Sequence, residues 1–268
     1  LLGFGRLSLQ QYFIAMPPNL RRYFLQIAYR GTHYHGWQVQ QNAITVQGVI
    51  QAGLAQVLRS KVPIVGSSRT DTGVHAQQQF AHVDLATNLN INQLNYQLNA
   101  VLPPDIAIEA IRPVMPEAHA RFDAIARTYL YTIVRAKSPF QRETSHWLRG
   151  DLDVTQMNEA AAILCQKQDF QSLCKARPVD HHFLCNVMEA CWLVQKGQLI
   201  FCIKANRFLR SMVRLIVSLL LKVGQETLSL SDFEAFIDKK QRDLSMSLVP
   251  ARGLALTEVV YPEHIFLT

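Results

Sequence analysis

Twice along this chain the residues run through the same succession: a short β-rich run, a stretch at helical spacing, two more β-rich runs, a second helical stretch and a closing strand. In the first pass Tyr23 to Tyr29 is β-rich, and Val46, Val49, Ile50, Val57 and Leu58 recur at helical spacing after Thr45, a capping residue. Val62 to Val65 reads as a strand ending at Gly66, and Phe80 to Leu85 as another beyond a polar loop. Ile91, Leu94, Leu98, Val101 and Leu102 mark the next helix, Pro103-Pro104 ends it, and Asp105 to Ile111 closes the pass.

In the second pass Arg127 to Arg135 alternates as a strand, and a helix spans about Thr155 to Gln166. Asn186 to Val194 and Leu199 to Ala205 form a hairpin about Lys196-Gly197. A long helix then carries Leu209, Met212, Val213, Ile216, Leu219, Leu220 and Val223 up to Gly224. Ser231-Asp232-Phe233-Glu234 reads as a capping box that opens an extra helix, and Leu254 to Tyr261 as the last strand. A β-α-β-β-α-β order is the ferredoxin-like split pattern. The expected fold class is therefore α+β, with two such halves, residues 21–113 and 114–268, whose sheets join around a central basic cleft.

Residues 1–20 lack the ordered basic, apolar and cleavage-site regions of a signal peptide, and are expected to be a disordered extension. With 49% hydrophobic and 18% charged residues among 268, the rest can bury a sizeable core, which excludes the disordered and fibrous classes. The most apolar stretch, Leu215 to Leu221, is closed off by Arg214 and Lys222 and is far shorter than the ~20 residues of a bilayer span, so no membrane segment is expected. Five cysteines, an odd number without paired C-x-x-C motifs, indicate neither a disulfide framework nor a zinc knuckle. The cytoplasm is the expected compartment. His33-Tyr34-His35 has no nearby carboxylate or cysteine to complete a ligand set, so no metal is expected.

The charge is unevenly placed. Residues 1–70 hold Arg6, Arg21, Arg22, Arg30, Arg59, Lys61 and Arg69 and no acid, and a second acid-free window runs from Lys196 to Lys222 through Lys204, Arg207, Arg210 and Arg214. Arg outnumbers Lys 18 to 9, which suits forked contacts to phosphate and stacking on bases. A polyanionic partner fits.

Gly66-Ser67-Ser68-Arg69-Thr70-Asp71-Thr72-Gly73-Val74-His75-Ala76 is a polar, glycine-bounded loop with the only carboxylate of the first 83 residues. Arg69 and Asp71 lie two apart, so in an extended loop both can point to one side, the guanidinium keeping the carboxylate ionised and aimed. His75 is expected to shape this loop by hydrogen bonding. The loop resembles the Gly-Arg-Thr-Asp-x-Gly-Val-His-Ala signature of the tRNA pseudouridine synthase A family. Further segments resemble that family in the same order: Tyr29 to Gln38, Asn99 to Ile106, Ala120 to Ala124 with Arg127 to Tyr131, Lys204 to Phe208 with Met212 to Arg214, and Pro250 to Leu254.

The resemblance implies an isomerase that converts uridine to pseudouridine at positions 38–40 of the tRNA anticodon stem-loop, acting as a homodimer without metal or redox cofactor. It implies Asp71 as the catalytic aspartate, Arg69 as its ion-pair partner, Tyr129 as the ring stacked on the target base and Arg214 as a second contact to Asp71. A carboxylate suffices as the nucleophile; attack on the ribose and attack on the base ring are both open. Arg30, Arg207 and Arg210 are expected RNA contacts, and His181-His182 an RNA-facing loop. Two positions depart from the family pattern: Ser68 stands where glycine is usual, and Cys185 where a basic residue is common. Two other readings remain: an inactive RNA-binding module of the same fold, and a dimeric aspartic hydrolase using Asp71-Thr72-Gly73. The latter needs a second triplet, and Arg69 would oppose a proton shared between two aspartates.

Overall fold

The computed structural model describes residues 19–175, 182–241 and 247–267, so the expectations for residues 1–18 and for His181 lie outside the described residues. The first half runs β1 (Leu20–Tyr29), α1 (Val46–Leu58), β2 (Val65–Gly66), β3 (His75–Ala86), α2 (Ile91–Val101) and β4 (Ile106–Pro113). The second runs β5 (Ala126–Val134), β6 (His146–Trp147), α3 (Val154–Leu164), β7 (Val187–Gln195), β8 (Gln198–Ala205), α4 (Met212–Gly224), α5 (Leu230–Asp238) and β9 (Leu254–Val260). All strands belong to one mixed sheet in the order β4-β1-β3-β9-β5-β8-β7, with β2 attached to β3 and β6 to β5. Among the described residues no helix is long and apolar enough to cross a membrane.

Local chemistry starts most of the helices. Thr45, Asn90 and Asp153 each accept the N–H three residues on, from Gly48, Gln93 and Gln156, which satisfies one of the orphan donors of the first turn. The cap of α5 is Ser229 and not Ser231: its hydroxyl oxygen accepts the Asp232 N–H, so the box is Ser229-Leu230-Ser231-Asp232. Strands β5 and β8 alternate buried with half-buried residues, so one face of the sheet packs Tyr129, Tyr131, Ile133, Phe201 and Ile203 into a single contiguous core. Helix α4 is buried almost throughout and approaches α3 closely; a Cβ at Gly224 would stand 2.4 Å from the Met157 sulfur.

Two strands differ from the sequence expectation. Val62 to Val65 gives only the two-residue β2, because Pro63 has no N–H to lend a ladder. Strand β3 begins at His75, five residues before Phe80, since Gln78 and Gln79 disguise it. Their amides replace ladder bonds: Gln78 accepts the Val259 N–H, and Gln79 accepts the Ser67 hydroxyl and donates to the Ser68 carbonyl.

The halves are joined through the short parallel pairing of β3 with β9, His75 opposite Ala255 and Ala76 opposite Leu256. Past β9 the chain folds back onto the first half, where Tyr261 and Phe266 pack against Phe24 and Phe80 with ring centroids 5.0 to 6.4 Å apart. Leu267 N–H donates to the Pro113 carbonyl and Met115 N–H to Ile265.

Candidate active site

The loop between β2 and β3 leads into the end of β3 that pairs with β9. Its start is tied down by Ser67, whose N–H donates to Phe80. Its middle is gripped by the segment after β1: Trp37 N–H donates to the Thr70 carbonyl at 3.1 Å, Gly73 N–H to the Tyr34 carbonyl, and the Tyr29 and Thr70 hydroxyls are 2.8 Å apart. The approach is so close that a Cβ on Gly36, itself at φ +85, would stand 2.5 Å from the Thr70 carbonyl oxygen. His75 uses both ring nitrogens to shape the loop's end, Nδ1 accepting the Gly31 N–H at 3.0 Å and Nε2 donating to the Arg252 carbonyl at 3.1 Å. Burial lowers its pKa.

Thr70 therefore points inward, and Asp71 emerges half-buried toward the N-terminus of α4. There Ser211 donates its hydroxyl to Asp71 Oδ2 at 2.8 Å, and Arg214 Nη1 approaches the same oxygen at 3.4 Å. Arg214 is itself steadied by an Nε–H bond to the Val249 carbonyl at 2.9 Å. The structure thus brings together Asp71 and Arg214, one from each half. Arg69 is on the outside: it is exposed and makes no ion pair with Asp71 among the described residues. The inward turn of Thr70 leaves Arg69 facing solvent while α4 supplies the cation at the carboxylate. That cation also opposes a proton shared between two aspartates, as the hydrolase reading requires.

Tyr129, on β5, is 7% exposed and packs nearly perpendicular to Phe208, ring centroids 5.1 Å apart. Burial pushes its phenol up to about 12, with Asp71 adding to the rise and the side chains of Arg127 and Ser68 opposing it. The phenol thus keeps its proton at neutral pH. Ser68, the departure from the glycine pattern, lies beside this phenol.

The remaining basic residues are spread out. Arg210 is exposed at the turn into α4. Arg207 donates to His182 Nδ1 at 3.3 Å and lines a cavity of about 200 Å³ with Cys185, Asn206 and Gln168. Arg30 forms a half-exposed ion pair with Glu143 at 2.7 Å and borders a separate cavity of about 450 Å³, whose lining does not include Asp71.

Sequence reasoning missed two residues. Arg127 is 7% exposed with no carboxylate partner among the described residues, yet its guanidinium donates to the carbonyls of Ala124, Asn206, Ser67 and Arg121 at 2.6 to 3.2 Å. It ties the root of the Asp71 loop to β5 and to the segment after β8. Its presence in Arg127-Thr128-Tyr129 was a signal, but two of the four carbonyls, those of Ser67 and Asn206, are distant in sequence. Ser211 gave no signal at all. Among the described residues no group of three or more His, Cys, Asp or Glu side chains is arranged to hold a metal ion.

Comparison with known proteins places these residues in context. A family model described as tRNA pseudouridine synthase matches residues 26–123 and 160–262. The chain is 45% identical over 247 residues to tRNA pseudouridine synthase A of Azobacteroides pseudotrichonymphae, covering 92% of this chain and 99% of that one. It is 42% identical over 250 residues to the protein of the same name from Bacteroides thetaiotaomicron, covering 92% and 93%. With that of Parabacteroides distasonis it shares 43% over 248 residues, 92% and 98% covered.

Proposed function

The chain belongs to the tRNA pseudouridine synthase family, and from that premise we propose that it isomerises uridine to pseudouridine in the anticodon stem-loop of tRNA, with Asp71 as its catalytic group. The reaction breaks the bond from the ribose anomeric carbon to the base nitrogen, turns the base and joins the same carbon to a ring carbon. The proton on that ring carbon is lost and one is gained at nitrogen, so nothing is added or removed overall. A held carboxylate is the nucleophile such a sequence needs.

The observation that carries this reading is the convergence on one carboxylate: Asp71 from the first half, fixed by Ser211 and Arg214 from the second, with the Tyr129 phenol close enough to feel its charge. Tyr129 is the ring for the target base, meeting it as a neutral phenol. Because Phe208 packs against it, entry of a base displaces part of the segment between β8 and α4. Arg69 and Arg210 are exposed cations suited to the RNA backbone, and Arg207, beside His182, and Arg30, paired with Glu143, are the further candidates for it. A surface pair such as Arg30–Glu143 contributes little and is readily given up to phosphate.

Each half reads as a ferredoxin-like unit, supported by the neighbour order β9-β5-β8-β7 in the second half and β4-β1-β3-β2 in the first. A cytoplasmic homodimer completes the proposal and rests on the family resemblance alone. The test is to map pseudouridine in tRNA transcripts after treatment with the purified protein. Product is expected in the anticodon stem-loop with the wild type and none with Asp71→Ala. Product elsewhere would discard the anticodon assignment, and residual turnover in Asp71→Ala would discard Asp71 as nucleophile.

A further inference from the structure

Ser211 sits immediately before α4, at the position where a serine hydroxyl ordinarily accepts an N–H of the first turn. It caps nothing. Its hydroxyl is turned instead onto Asp71 Oδ2 at 2.8 Å, and its backbone is held at φ 59, ψ 10, in the left-handed region that non-glycine residues seldom occupy. The fold therefore forgoes a helix cap and accepts a strained backbone at one residue, and both concessions serve the same contact. Strain of this kind persists only where the surroundings enforce it, and it gathers at functional sites.

The second donor to this carboxylate uses the same oxygen. Arg214, three residues on and so on the same side of the helix, brings Nη1 to 3.4 Å from Oδ2, while Oδ1 has no hydrogen-bond partner among the described residues. One carboxylate oxygen is thus anchored twice and the other is left bare. We infer that Ser211 is a positioning residue for the isomerisation: together with Arg214 it pins Oδ2, so that Oδ1 is the oxygen presented to the substrate. The inference rests on the reading of Asp71 as the catalytic carboxylate. Ser211 acts through Asp71, to which its hydroxyl donates.

The experiment compares wild type, Ser211→Ala, Ser211→Gly, Ser211→Asn and Asp71→Ala in single-turnover pseudouridine formation on a tRNA transcript, with tRNA affinity measured in parallel. Glycine relieves the left-handed strain and removes the hydroxyl, so it separates the hydrogen bond from the backbone. Asparagine tolerates the left-handed region and carries an amide donor. Loss of a hydrogen bond to a charged group predicts a rate roughly ten- to hundredfold lower in the alanine and glycine variants, with affinity within twofold of wild type. The asparagine variant should recover to within about threefold of wild type.

A glycine variant that reacts at the wild-type rate overturns the assignment, because the hydroxyl would then be dispensable. So does a loss in which affinity falls as much as rate, since that is a damaged RNA surface and not a misplaced nucleophile. The Asp71→Ala control keeps the premise separate: turnover there removes Asp71 from the chemistry, whereas a dead Asp71→Ala beside a fully active Ser211→Gly removes Ser211 alone.

Discussion

Arg214 reaches Asp71 Oδ2 at 3.4 Å from the first turn of α4, whereas Arg210, four residues earlier, is exposed in the turn before the helix and shares no helix face with it, because the left-handed Ser211 intervenes. The two arginines are neighbours with different surroundings. The Arg214 side chain is 14% exposed and tied to Val249, so it has little left for phosphate. Arg214→Gln should cut turnover of bound tRNA by roughly tenfold or more and leave the salt dependence of binding nearly unchanged. Arg210→Gln should do the reverse, flattening the log-log salt slope by about one unit with turnover intact. A salt titration of tRNA binding alongside single-turnover rates checks both; equal flattening by the two variants would make Arg214 a backbone contact.

Tyr129→Phe keeps the ring and its packing on Phe208 but removes a phenol whose pKa is pushed up to about 12. tRNA affinity should persist while the rate falls. Comparing bound-state turnover for the two proteins decides it, and equal rates would leave stacking as the only role of Tyr129.

Arg127 is a buried cation serving four carbonyls. Arg127→Leu fills similar space without a donor and strands those acceptors, so the expected loss of stability is about 3 kcal/mol or more. Denaturant unfolding measures it. Because one of the four is the Ser67 carbonyl, activity should fall further than the unfolded fraction accounts for.

His82 gives the fold a pH dependence. It is 8% exposed, its Nδ1 accepts the Ala120 N–H, and its pKa is lowered to about 4, first by burial and then by Arg22 and His119, with Asp84 and Asp123 opposing. Below pH 6.5 the unfolded chain takes up this proton while the folded ring refuses it, so stability falls with pH until about 4. The loss amounts to at most about 3 kcal/mol. His119, set edge-on to His82 with centroids 4.6 Å apart and also lowered, adds to the same slope. His82→Asn keeps an acceptor for Ala120 and should flatten the curve of unfolding free energy between pH 7 and 4.5. An unchanged curve would mean that other groups set it.

What the sequence made legible was whatever is written locally. Apolar periodicity located α1, α2 and the hairpin β7-β8, because burial of one face is repeated every few residues. Asp71 stood out because no other acid precedes it. Gln77 to Gln79 hid the start of β3, since a polar run carries no apolar alternation, and the bonds that hold it there run from Gln78 to Val259 and from Gln79 to Ser67 and Ser68. The same limit applies to the site. Arg69 was the apparent partner of Asp71 by adjacency, whereas the partners observed lie 140 and 143 residues away on α4. No local pattern marks a serine that gives up its cap to reach another half of the molecule.

The two-residue junction of β3 with β9 has a consequence for the order in which this molecule is made. His75, which fixes the end of the Asp71 loop, pairs with Ala255 and binds the Arg252 carbonyl, so the ribosome must deliver nearly all of the sequence before that end can set. A nascent chain that has already folded its first half carries Asp71 without Ser211, Arg214 or the β9 edge. Isomerising power therefore arrives late in translation and all at once, and a truncated product holds the aspartate but not the machinery that makes it reactive.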